Sequence, residues 1–206
     1  MNDRTVLLKK ACHLEYFTVG WNVAEGVIAV TAALAAGSVA LLGFGLDSFV
    51  ESTSGLILLW RLSKERRSTE SSAEDIERLD RRAQRLVGAT LFLLATYIAG
   101  DSALALWNGE RPEVSIVGMG LVSVSIAIMW WLAQAKAEAA RELNSKALQA
   151  DSVQTLACWW LSIVTLVGLG LNAAFGWWWA DPVAALGVAV FIVREGREAW
   201  RGESCC

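Results

Sequence analysis

Gly43-Phe44-Gly45-Leu46-Asp47-Ser48-Phe49-Val50-Glu51 sets two carboxylates four residues apart inside an apolar segment covering 38–60. On a helix such a pair shares one face, and a segment of this length crosses a bilayer. An ionised acid in hydrocarbon is costly, so it must meet a counter-charge, a proton or a cation. As segmented below, the apolar stretches contain no Lys or Arg short of Arg194 at the very end of the last, which leaves no buried salt bridge to account for the pair. Asp47 and Glu51 are therefore expected to receive a positive ion that arrives and leaves.

Outward from this stretch, near-continuous apolar runs occupy 16–36, 38–60, 86–107, 114–133, 150–174 and 178–195. Each is the length of a membrane span. With 206 residues, 55% hydrophobic and 19% charged, the chain reads as a single all-α domain of six transmembrane helices over 1–206, not as a soluble protein. Gly37-Ser38 leaves room only for a tight hairpin. A polar loop covers 61–85, within which Ser72-Ala73-Glu74-Asp75 looks like a helix start. Asn108-Gly109 and Pro112 break the chain again. The 134–149 connection is Ala-rich and charged, and continues the flanking helices. Asp181-Pro182 reads as an N-cap with proline at the first helical position.

Every Lys and Arg except Arg111 falls on one side of a six-span arrangement. Lys136, Arg141 and Lys146 are counted there as loop residues. This asymmetry puts both termini in the cytoplasm of a multi-pass cell-membrane (inner or plasma membrane) protein. Tryptophans at 60, 107, 130, 131, 177, 178, 179 and 200 stand near span ends, as an interfacial belt does. A net charge of -3 excludes nucleic acid, which wants a basic face. The first apolar run is too long for a cleavable signal. The four cysteines make no disulfide framework, and the 61–85 loop has no histidine for a metal site.

The fifth span opens Ala150-Asp151-Ser152-Val153-Gln154-Thr155-Leu156-Ala157-Cys158. Asp151, then Gln154 or Thr155, then Cys158 make one polar stripe. Two helices that each offer an i, i+4 pair can build the four-ligand shell a tetrahedral divalent metal favours. Asp47 and Glu51 supply oxygens, Gln154 an amide oxygen, and Cys158 a thiolate that selects for zinc. Without the thiolate, manganese or iron is admitted.

The sequence here resembles the cation diffusion facilitator family, six-span exporters of zinc and related divalent metals. The resemblance covers nearly the whole chain. It rests on Gly37-Ser38-Val39-Ala40-Leu41-Leu42 leading into Asp47-Ser48-Phe49-Val50-Glu51, similar to the family's second-helix D-x-x-x-D. It rests also on Ala150-Asp151 and on Trp179-Ala180-Asp181-Pro182-Val183-Ala184-Ala185-Leu186-Gly187, similar to its sixth-helix opening. In the fifth helix the family carries H-x-x-x-D or D-x-x-x-D, where this chain has Gln154 and Cys158. The resemblance implies secondary export of a divalent cation, zinc foremost, in exchange for protons. It implies a homodimer held through membrane helices, with no tightly bound cofactor, no covalent chemistry and so no enzyme. The family's cytoplasmic C-terminal domain is expected to be absent. The alternatives are a non-transporting membrane sensor or scaffold whose metal site has decayed, and a transporter of another cation.

Asn22 and Glu25, i, i+3 neighbours in the first span, are expected as supplementary ligands or proton carriers. Asp151 is expected in that role or as a vestibule residue or helix cap. Asp101 reads as interfacial, Asp181 as a cap, His13 as a lipid-headgroup contact, and Cys205-Cys206 as a frayed tail. The glycines at 43, 45, 118, 120, 168 and 170 are expected to let helices approach closely.

Overall fold

Apolar residues recurring every three or four positions along unbroken runs fold into helices that bury one stripe each. The computed structural model describes residues 3–67, 73–109 and 113–201. It contains α1 (Asp3–Ala36), α2 (Val39–Arg67), α3 (Ala73–Asn108), α4 (Ile116–Leu143), α5 (Lys146–Phe175) and α6 (Ala180–Arg201). The six expected spans are thus six helices of an all-α bundle. All but α6 are long and apolar enough to cross a membrane. In α6 the apolar run from Pro182 ends at Val193, and Arg194, Glu195, Arg197 and Glu198 follow.

The helices outrun their apolar stretches. α1 begins at Asp3 instead of 16, and α4 continues to Leu143, so the connection expected over 134–149 contracts to a single break. Asn144, left-handed at φ 50°, caps α4, and the Ser145 hydroxyl caps α5 by accepting from the Leu148 amide at 3.4 Å. α3 starts at Ala73, within the expected start. Arg111, Pro112 and the Cys205-Cys206 tail lie outside the described residues.

α2 packs on α1, α5, α3 and α6, while α4 packs on α1 and α5. Helices α1, α2, α5 and α4 therefore close a ring, with α3 and α6 paired outside it. An apolar layer fills each end of the ring. One holds Leu8, Cys12, Leu58, Leu59, Leu62, Leu143 and Leu148. The other holds Ala29, Ala33, Leu41, Phe44, Val122 and Leu169. Between α1 and α2 the close approach rests on Gly45, where a Cβ would lie 2.9 Å from that of Ala29 and 3.0 Å from the Val30 backbone nitrogen. Gly43, Gly118 and Gly168 sit in similarly tight contacts, whereas Gly120 and Gly170 face open space and pack against nothing.

Asp181 does not cap its own helix, as expected of it. α6 begins one residue earlier, and the buried carboxylate reaches the start of α2, where it accepts from the Ser38 hydroxyl and from the Val39 and Ala40 amides at 2.9 and 3.3 Å. The hairpin leaves those amides without helical partners, and a carboxylate suits the positive end of the helix dipole. Asp181→Ala is expected to cost about 1–3 kcal/mol, read as a fall in Tm in detergent. An unchanged Tm would mean that water caps α2 equally well.

Candidate functional site

The four ring helices carry their buried stripes at the same spacing, and each turns polar midway along the ring. On α1 the buried positions run Cys12, Glu15, Thr18, Asn22, Glu25, Ala29. On α2 they run Phe44, Asp47, Ser48, Glu51, Ser52, Leu58, and on α5 Leu148, Asp151, Thr155, Cys158, Ser162, Thr165, Leu169. On α4 they run Val122, Ser125, Met129, Leu132, Lys136, Ala139, Leu143. Polar groups from four helices thus face one another between two apolar layers.

Asp47 and Cys158 come together. The Cys158 thiol donates to Asp47 Oδ2 at 3.2 Å. Glu51, one turn along α2, takes a hydrogen bond on Oε1 from the Thr155 hydroxyl at 2.9 Å. Its second oxygen, Oε2, is sealed from solvent with no hydrogen-bond partner among the described residues. On the α5 stripe it is Thr155, not Gln154, that meets α2's acids. Gln154 is half-buried and donates its amide to Ser54 at 3.4 Å.

Glu25 joins three helices. Its Oε2 accepts from Ser48 of α2 at 3.1 Å, and Oε1 accepts from Ser125 of α4. Asn22, fully enclosed one turn away, has neither amide atom hydrogen-bonded. Asp151 is buried and paired. Asp101 is half-buried and His13 exposed, on positions away from the ring's interior. Among the described residues, no three His, Cys, Asp or Glu side chains converge tightly enough to form a ready-made metal cage.

The premise that no basic residue lies among these acids does not hold. Lys136 is fully enclosed, with Nζ 3.2 Å from Glu15 Oε2, hydrogen-bonded to Asp151 Oδ2, and 3.2 Å from Thr155 Oγ1. It was counted as a loop residue because the apolar run stops at 133. The helix goes on to Leu143, nearly three more turns, and carries Lys136 inward. A signal was available, since Lys136 follows the buried Met129 and Leu132 at seven and four residues. Glu15 was missed for the same reason: it stands just before the first apolar run, yet seven residues ahead of Asn22 on the same stripe.

A model of the cation efflux transmembrane domain matches residues 19–201. The chain is 31% identical over 167 residues to an uncharacterized transporter of Synechocystis, covering 80% of this chain and 54% of that protein. It is 27% identical over 175 residues to the cation-efflux pump FieF of Shewanella oneidensis, 82% of this chain and 57% of the pump. It is 24% identical over 136 residues to a cadmium, cobalt and zinc/H(+)-K(+) antiporter of Bacillus subtilis, covering 64% of this chain and 42% of the antiporter. The chain spans about half the length of these relatives.

Proposed function

This chain belongs to the cation diffusion facilitator family, and from that membership we propose that it exports a divalent metal cation, zinc foremost, from the cytoplasm in exchange for protons. The observation that carries the reading is Glu51 Oε2, a buried carboxylate oxygen that takes no hydrogen bond among the described residues, one helical turn from Asp47. A buried acceptor without a donor is uncommon and costly. A cation arriving there would satisfy it. Asp47, Glu51 and Cys158 are the proposed ligands, two oxygens and a sulfur. Asn22 and Glu25 flank them from α1 as supplementary donors or proton carriers. Gln154 supports the site from outside through Ser54.

Carboxylate and thiol must lose protons to bind a metal, so metal and protons compete for the same atoms, and exchange follows from shared ligands. The apolar layers at both ends of the ring keep water from the polar centre, and transport requires them to open in turn. Lipid surrounds the exposed apolar faces of the helices, and pairing of two copies through those faces makes the homodimer. Both termini face the cytoplasm of the cell membrane, in keeping with the charge asymmetry.

The test is uptake of zinc into vesicles carrying the purified protein under an imposed pH gradient. Uptake that matches protein-free vesicles, with and without the gradient, would end the proposal. The sulfur ligand makes a second expectation. Cys158→Ser keeps a donor toward Asp47 but exchanges a soft ligand for a hard one. Zinc and cadmium uptake should fall about tenfold relative to manganese, or 1.4 kcal/mol, in paired competition assays. Unchanged metal preference would remove Cys158 from the ligand set.

A further inference from the structure

Glu15, Lys136 and Asp151 form a buried ionic trio that the transport reading leaves without a role. We infer that Lys136 is a positioning residue for the Asp47–Glu51 site, a tethered ammonium that acts through the Thr155 hydroxyl to hold Glu51 with one oxygen committed and the other presented to the cargo. This rests on the proposed transport function.

The hydrogen bonds of Lys136 support it. Its ammonium donates to Asp151 Oδ2 and to Thr155 Oγ1, and it stands 3.2 Å from Glu15 Oε2 as an ion pair whose carboxylate takes no hydrogen bond among the described residues. Thr155 has a single hydrogen, with Glu51 Oε1 at 2.9 Å and the carbonyl of Asp151 on its own helix at 3.1 Å. A hydroxyl that accepts from a cation is polarised and donates more strongly. Lys136 therefore drives the Thr155 hydrogen onto Glu51 Oε1. The carboxylate is then fixed in rotation, and Oε2 is the atom left bare. A lysine needed only to balance charge would have its work done by Glu15 and Asp151 alone, and would have no use for Thr155.

Two ways of cutting the relay are compared in proteoliposome zinc uptake. Lys136→Met combined with Glu15→Gln and Asp151→Asn removes the trio's charges together, which spares the fold from unpaired buried ions. Thr155→Val removes the hydroxyl and leaves all charges in place. Each is expected to raise KM for zinc about 10–100-fold, the range for losing a partner that orients a metal ligand. Thr155→Ser, which keeps the hydroxyl, should retain the wild-type KM. Combining Thr155→Val with the triple neutralisation should add nothing further, since both sever one relay. A wild-type KM in the triple variant would overturn the inference and reduce Lys136 to charge balance. So would effects that multiply in the combined variant. Wild-type protein that moves no zinc would overturn the transport reading instead. The same variants then report through Tm in detergent, where coupled shifts sustain the relay and strictly additive shifts overturn it.

Discussion

Vesicles carrying Asp47→Asn together with Glu51→Gln are expected to take up zinc at the background rate, a loss on the order of 100-fold or more, beyond that of removing an orienting partner alone. The substitutions keep shape and hydrogen bonding. An amide at 47 still meets the Cys158 thiol, and an amide oxygen at 51 still accepts from Thr155. What disappears is the negative charge of the pair. A divalent cation shedding water into a dry interior needs anionic ligands to offset its lost hydration. Neutral amides do not supply that. The fold is expected to survive, because replacing buried charges with neutral groups of the same size removes a desolvation cost. Each single variant should lose nearly as much as the pair, since ligands of one site act as a unit. The measurement is initial uptake rate, normalised to protein shown by gel filtration to be folded. Flux equal to wild type would take Asp47 and Glu51 out of the transport path and leave the family likeness as fold alone.

The parts of this molecule that sequence disclosed are those governed by local rules. Apolar length announced six helices, and the i, i+4 acids of α2 announced a shared inward face. Where two helices had to be brought together, local rules failed in specific ways. From Asp151, Gln154 lies about 60° to one side and Thr155 about 40° to the other, so periodicity alone could not choose between them. Ser54 on the neighbouring helix takes Gln154, and Glu51 takes Thr155. Asp181 looked like a cap because it precedes proline. The amides it serves lie more than 140 residues away in the chain, and nothing local could point there. Lys136 and Glu15 were hidden by a different cause. Segmentation by hydropathy ends a span where the near-continuous apolar run gives out, whereas a helix ends where its caps lie, here at Asn144. Charged residues just beyond an apolar run belong on the stripe of the helix that contains them.

Lys136→Met made alone is expected to destabilise the protein by about 3–5 kcal/mol, the cost of removing one partner from a buried ionic group. Methionine fills a similar volume, so no cavity accounts for the loss. The cost arises from Glu15 and Asp151, which remain 0% and 7% exposed with their cation gone. The layer of Leu8, Leu62, Leu143 and Leu148 beside them offers no donor. Lys136 stands about 30 Å along α4 from Ile116, a length that reaches from one edge of a hydrocarbon layer to the other, so bulk water is close but shut out by those leucines. Relief requires the apolar layer to open and let water reach them, which shows in detergent as a lowered Tm. Adding Glu15→Gln and Asp151→Asn should restore Tm to near wild type. A Lys136→Met protein that melts with wild type at neutral pH would show that water already reaches the trio, and the apolar layer at that end of the ring would then be no seal.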